Sequence, residues 1–454
     1  MSKKWNSTFR GAEPSWANAC VGDNGQPDYF DYAQGFSSAA NVLIKAVLEA
    51  RGGENSPDTF IYPICFNMRH SVELRLKGVI EALRDFPGRK TELKSIELTK
   101  IHDVGVLWER IKEATLIIDS RFGLFVECLD EYVLDIGEVD PSGQTFRYPH
   151  DRVNNKHLVD VSVINVYVLY CRFKALEEKL DCLDRFCDEL IREYSLGTFT
   201  TKLSRAQLFE IAADIPPKSE WGNTVFTEFS KKVKDSYSLT NNDFSRAVCK
   251  IQSHYGMASS LQSPPLKFID REGLVLFFNA WCQINDVDYL KNKSKVRELD
   301  FDGQVSMRDI FESIVSQRKK EGELWPHLNG ALNVEKLADL KALYECSMER
   351  YSEEYVRHFE NFSRELNFES DSDKGRFRYL LFKLLGRPQA VERILKGLFL
   401  IGHGDHAEFL IAQFELEGCF GWVDEVRAGT FFIEPCRDIS NSFSRLASAS
   451  QRSN

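Results

Sequence analysis

The sequence predicts an all-α protein. An antiparallel helical bundle is expected over residues 31–197, a small helical middle domain over 198–265 and a larger helical domain over 266–440. Three observations carry this. Apolar residues recur every three to four positions in most long segments, and the period-two alternation of half-buried strands is scarce. The punctuation is helical, with cap residues before the apolar runs and Gly or Pro after them. At 454 residues the chain exceeds one ordinary core, so two or three domains are expected.

Residues 1–30 are polar, with Gly22, Gly25 and Pro27, and read as an irregular arm. The first helix is expected from Tyr32 to Ala50, burying Phe36, Ala40, Leu43 and Val47, with Gly52 and Gly53 ending it. A second runs from about Phe60, with Pro63 in its first turn and Pro87-Gly88 after its end. Ile61, Cys65, Met68, Val72, Leu76, Val79 and Leu83 form its apolar stripe, and His70, Glu73, Lys77 and Glu81 form an opposite polar line. Glu73 precedes Lys77 by four residues, the favourable orientation for a helical ion pair. The next helix opens at His102-Asp103. Phe122 to Leu134 fits helix or strand, and helix is preferred. A loop from Asp140 to His157 precedes the longest helix, from Val159 to Tyr194. Its seam of Leu169, Phe173, Leu176, Leu180, Leu183, Cys187 and Leu190 suits an intramolecular bundle or a homodimer interface.

Gly197-Thr198 marks a boundary. Ser204 and Gln207 form a capping box for a short helix ending before Pro216-Pro217. Trp221, Val225, Phe229 and Val233 mark another; Phe244, Val248, Ile251 and Tyr255 mark a third, capped by Asn242. Leu274 to Cys282 is apolar nearly all round and reads as central core. Asn333 caps a helix to about Arg350, and Ser352-Glu353-Glu354 starts one to Phe362. Arg376–Leu385 and Pro388–Ile401 are two more, and Asp405 is expected to cap the next after Gly402 and Gly404. Residues 441–454 read as a disordered tail.

The composition, 43% hydrophobic and 28% charged, fits a folded globular chain. A net charge of −10 means that no protein-wide field draws nucleic acid, so any RNA contact needs a local patch. Eleven Cys residues without a CxxC pair indicate a reducing, cytoplasmic setting. The MSKKWNSTFRG start lacks an apolar signal core, and no apolar run approaches a membrane span, so no membrane partner is expected.

No P-loop, GxGxxG, GxSxG or HExxH occurs. His403-Gly-Asp405-His406 reads more readily as a helix-connecting turn than as a metal site, and neither a metal nor a cofactor is expected. Lys231, Lys232 and Lys234, and Lys291, Lys293, Lys295 and Arg297, could neutralise phosphates, although solvated helix faces account for them equally well.

The His and Arg set of the first domain is more specific. Glu73-Leu-Arg-Leu-Lys77, the later His102-Asp103 with Leu107-Trp108, and Phe146-Arg147-Tyr148-Pro149 before a long helix together resemble the HEPN superfamily, helical domains named for nucleotide binding in higher eukaryotes and prokaryotes. The resemblance covers roughly residues 30–195. It implies a metal-independent ribonuclease, or an inactive relative that binds RNA or a partner protein, in bacterial stress response, toxin–antitoxin or anti-phage defence, acting as a homodimer. Active members carry an Arg, four to six residues, then a His on a helix. Arg152-Val-Asn-Asn-Lys-His157 matches that spacing but lies in a loop. Metal-free RNA cleavage needs a base, an acid and a cation over the phosphate. Arg152, His157, Arg69, His70 and His102 are therefore the catalytic candidates, Arg147 and Lys77 the RNA-binding ones, and Glu73 and Asp103 a structural polar network. The alternative is a non-catalytic helical scaffold or sensor in which the polar line only sets helix register.

Overall fold

The structure, a computed structural model, describes residues 6–451 except 52, 152, 259–260, 262–263, 286–306 and 367–372. Its regular structure is all helical; among the described residues extended pairing is limited to isolated bridges at His150–Lys156 and Asn329–Leu332. No helix among them is long and apolar enough to cross a membrane. The chain divides into two units, Met1–Ser195 with Cys436–Asn454, and Leu196–Pro435.

The first unit is a bundle of α1 (Tyr29–Ala50), α2 (Pro57–Leu83), α3 (Val104–Ile118), α4 (Phe122–Val139) and α5 (Val166–Ser195). α1 begins three residues before the expected Tyr32, because Asp28 and Asp31 form a reciprocal capping box. α2 starts at Pro57, a residue suited to a first helical position, so Pro63 lies inside the helix and not in its first turn. α2 packs against α1, α3 and α5, and Ser71 to Lys77 are all buried. A helix enclosed this way must pair its polar side chains within the protein.

α5 starts at Val166, seven residues after the expected Val159. The run Val159-Asp-Val-Ser-Val-Ile164 is rich in β-branched residues, and Asn165 caps the helix by accepting from the amides of Tyr167 at 2.9 Å and Val168 at 3.1 Å. Its seam faces the inside of the bundle. Phe173, Leu176, Leu180, Leu183, Cys187 and Leu190 are all buried within the single chain, α5 packing on α1, α2 and α4. The α3–α4 corner is tied to the end of α5 by Arg121, which donates to Asp119 at 2.9 Å and to Glu193 at 2.7 Å, while the Tyr194 hydroxyl donates to Asp119 at 2.9 Å.

The second unit holds α6 (Arg205–Asp214), α7 (Thr224–Tyr237), α8 (Asn241–Ser253), α9 (Arg271–Ile284), α10 (Met307–Leu328), α11 (Val334–Cys346), α12 (Glu354–Leu366), α13 (Asp373–Leu385), α14 (Ala390–Leu400), α15 (Gly404–Gln413) and α16 (Trp422–Arg427). The Ser204–Gln207 capping box is present, and so is the Asn333 cap. α8 is capped by Thr240 with Asp243, not by Asn242, which lies within the helix. Among the described residues one apolar core gathers around Leu208, Ile211, Phe244 and Ile251 and another around Phe277, Trp281, Leu340 and Ile394. The divide expected near residue 265 is bridged by a buried ionic cluster. Arg205 grips Glu353 with two nitrogens at 2.7 and 3.1 Å and also pairs with Glu434, and His254 stands 2.8 Å from Glu353. The Lys291–Arg297 basic run lies outside the described residues.

Gly397 marks a close approach of α14 to α11. A Cβ there would stand 2.2 Å from the backbone oxygen of Leu343 on α11, and backbone cannot swing aside. Gly397→Ala is expected to lower unfolding free energy by about 2–3 kcal/mol, the upper part of the usual overpacking range, despite the better helix propensity of Ala. A denaturant titration showing unchanged or raised stability would refute this contact.

The last helix, α17 (Pro435–Gln451), groups with the first unit. The expected disordered tail is thus helical through Gln451. Its Ser-rich face hides a stripe in which Cys436 and Phe443 are fully buried, the Phe443 ring lying 4.3 Å from that of Phe125 on α4.

Candidate functional site

The middle of α2 and the two segments that pack on it form a polar cluster centred on Glu73. Glu73 is 3% exposed, and its carboxylate receives four groups. Arg69, one turn earlier, forms a short ion pair with it, and Lys77 Nζ, one turn later, lies 2.7 Å from Oε1. His102 Nδ1 meets Oε1 at 2.9 Å, and His70 Nδ1 stands 3.9 Å from Oε2. Burial alone would raise the Glu73 pKa. The nearby His70 ring, the Lys77 pair, the Arg69 charge and the His102 hydrogen bond outweigh it and hold the carboxyl well below its usual range.

Arg69 is also the tie between α2 and the site loops. Its Nε donates to the carbonyl of Asp140 at 3.0 Å, and Nη2 donates to that of Pro141 at 2.6 Å and to that of His102. The amide of Val104 donates to Pro141 at 3.2 Å, which brings the start of α3 to the same point. Gly143, at φ +74°, lets the loop lie against the guanidinium; a Cβ there would be 3.2 Å from Arg69 Nη1. Asp140 holds the loop from the other side, accepting from the Thr145 amide at 3.1 Å. Nearby Cys65 is no nucleophile, because burial and then the Asp140 charge push its thiol up to about 12.

These facts sort the candidates. Arg69 and Lys77, expected as catalytic and RNA-binding residues, are buried, with Arg69 directed at Glu73 and loop carbonyls and Lys77 at Glu73, so neither presents its charge to solvent. Asp103 is not part of the network; it caps α3, accepting from the Val106 amide at 3.1 Å. His102 and His70 reach solvent, with side chains 59% and 30% exposed. The ionised Glu73 only accepts, so His102 Nδ1 carries the hydrogen, and in the neutral ring Nε2 carries the lone pair.

Sequence reasoning missed the aromatic frame around His70. Its ring stacks on Phe66 at 5.7 Å and 11° and meets the edge of Phe36 at 4.4 Å. Arg147, exposed, lies 5.5 Å from the centre of the same Phe66 ring and 5.3 Å from that of Tyr148. The i,i+4 spacing of Phe66 and His70 was the available signal. His157 sits beyond a tight turn in which Asp151 accepts from the amides of Val153 at 2.9 Å and Asn155 at 2.8 Å. Its Nε2 is buried and makes no hydrogen bond. Arg152 lies outside the described residues.

A cleft of about 900 Å³ runs between α1, α2 and α5. Asp28, Glu81, Glu177, Asp181, Asp184 and Asp188 line it against two cations, Arg75 and Arg185. Burial, with Asp181 and Asp188 nearby, pushes Asp184 up to about 7 despite Arg75. That predominantly acidic wall disfavours phosphate. No protein-family model, curated protein or solved structure matches the chain.

Proposed function

We propose that the first unit is a HEPN-like module that engages RNA over the face carrying His102, His70 and Arg147 and cleaves it without a metal, in bacterial stress response or phage defence. The observation that carries this reading is the Glu73–His102 pair: a buried carboxylate fixes the ring through Nδ1 and leaves Nε2 available on a half-exposed imidazole. In this mechanism His102 Nε2 takes the proton of a ribose 2′-hydroxyl, and the freed oxygen attacks the adjacent phosphorus. The 5′-oxygen leaves with a proton from His70, giving a 2′,3′-cyclic phosphate and a 5′-hydroxyl. Arg147 supplies the cation for the phosphate, and exposed Tyr148 beside it offers a ring for a base to stack on. Imidazoles suit both proton transfers near neutral pH. A homodimer in this reading uses a surface other than the buried α5 seam.

A second reading, a non-catalytic scaffold or sensor, is favoured by one observation: Arg69, Glu73 and Lys77 together lock α2 to the residue 140–141 loop and the start of α3. Full-length protein, treated with chelator and incubated with end-labelled RNA, separates the two. His102→Ala is expected to lower cleavage by about 10²–10⁴-fold, with the melting temperature nearly unchanged because the ring is half exposed. Cyclic-phosphate ends should appear on the wild-type products. RNA left intact by the wild type, or cut equally by His102→Ala, would defeat the enzymatic reading; binding without cleavage that is lost in Arg147→Ala would leave an RNA-binding module.

A further inference from the structure

The turn between α14 and α15 brings together three groups that the sequence alone left as a connector. Gly402, at φ +76°, turns the chain, and His403 becomes the residue preceding α15. Asp405, expected to cap that helix, does not; no side chain caps it. Its carboxylate instead faces His406, whose Nδ1 stands 3.0 Å from Oδ2. His403, Asp405 and His406 each offer one donor atom, and these atoms all lie within 4.8 Å of one another.

Two features distinguish this trio from a chance grouping. The buried His403 ring points Nε2 at the backbone oxygen of Pro264, 2.8 Å away. A carbonyl only accepts, so Nε2 bears the hydrogen and Nδ1 is left with the lone pair. A ring nitrogen bonded to a backbone carbonyl is the support that orients metal-binding imidazoles and fixes their tautomer. The second feature is His406 Nδ1, which is buried and makes no hydrogen bond, its approach to Asp405 being out of hydrogen-bond alignment. A buried ring nitrogen that meets its carboxylate neighbour out of hydrogen-bond alignment is a cost that coordination would remove. The two imidazole rings stand edge to face, 5.3 Å apart.

We propose that His403, Asp405 and His406 form a three-ligand site for a first-row divalent cation of the zinc class. Two imidazoles and one carboxylate suit such ions better than magnesium or calcium, which require mostly oxygen ligands. The Asp405 side chain is 64% exposed, so the remaining coordination positions open to water. Its charge also offsets the partial positive end of α15. Arg271 Nη2 approaches the same Oδ2 at 3.4 Å and competes with the cation. Bound metal would fasten the α14–α15 turn next to the Pro264 segment.

The test is calorimetric titration of chelator-treated full-length protein with zinc, with cobalt(II) as a spectroscopic probe. His406→Ala and Asp405→Asn are the variants, because both side chains are partly exposed and the fold should survive; circular dichroism checks this. Wild type should bind one more zinc equivalent than either variant, or bind it at least about tenfold more tightly. Cobalt should give visible bands of nitrogen and oxygen ligation that both variants lose, and Arg271→Ala should tighten binding. The proposal is overturned if folded wild type and both variants bind zinc with equal stoichiometry and affinity. Calcium or magnesium binding as tightly as zinc would overturn it as well. A cobalt spectrum carrying only thiolate charge-transfer bands, which free cysteines exposed at Cys20, Cys171 and Cys249 could produce, would do the same.

Discussion

Replacing Glu73 by Ala is expected to destabilise the first unit by about 3–5 kcal/mol, the cost of leaving buried charges without their partner. Arg69 and Lys77 are both buried, and neither can turn to water without withdrawing from the α2 packing. Arg69 would keep its carbonyl acceptors at Asp140, Pro141 and His102, whereas Lys77 would lose the carboxylate 2.7 Å away. Glu73→Ala combined with Lys77→Met should therefore recover part of the loss. Chemical denaturation followed by circular dichroism measures both; a loss below about 1 kcal/mol would put the cluster in the range of an ordinary exposed pair. The pH dependence has a definite sign. The folded-state pKa of Glu73 is depressed, so its contribution is fully present above the unfolded value near 4.5 and is lost as the pH falls through the folded value. The gap between wild type and Glu73→Gln should hold through the neutral range and close only in strong acid.

The double substitution Leu176→Glu with Leu183→Glu is expected to abolish folding of the first unit and not to release a folded monomer. Both side chains are 2% exposed inside a single chain, so each carboxylate would replace an apolar group in contact with the bundle. Burying an unpaired ionised carboxylate costs several kcal/mol, and two such costs approach the whole stability of an ordinary domain. Loss of the cooperative thermal transition, with aggregation on gel filtration, is the expected result. A well-folded species of half the wild-type mass would show that the seam serves a second chain. Tyr167 and Val168, exposed at the start of α5, are better placed for an intermolecular contact.

Much of the helical order was legible in the residues because it depends on neighbours three or four positions apart. The Ser204–Gln207 box, the Asn333 cap and the choice of helix for Phe122–Leu134 are decided within one or two turns. So is the Glu73–Lys77 pair, which needs only helical spacing. The misplaced boundaries are local as well: Asn165 caps α5 after a β-branched run, and Thr240 caps α8 two residues before the expected Asn242.

What tertiary structure alone decided is which polar groups face water. Glu73 and Lys77 read as part of a polar line, yet they and Arg69 are enclosed, because α2 is covered by α1, α3 and α5 together. No local pattern announces that His102, 29 residues away, would complete the carboxylate, or that the carbonyls near residue 140 would take up Arg69. The closing helix is the same case, since its Ser-rich sequence buries Phe443 against Phe125, more than 300 residues earlier in the chain. Helix spacing is a one-dimensional property of the chain. Burial depends on every surface that arrives from elsewhere, and it is burial that separates the enclosed Arg69, Glu73 and Lys77 from the partly exposed His102 and His70 rings.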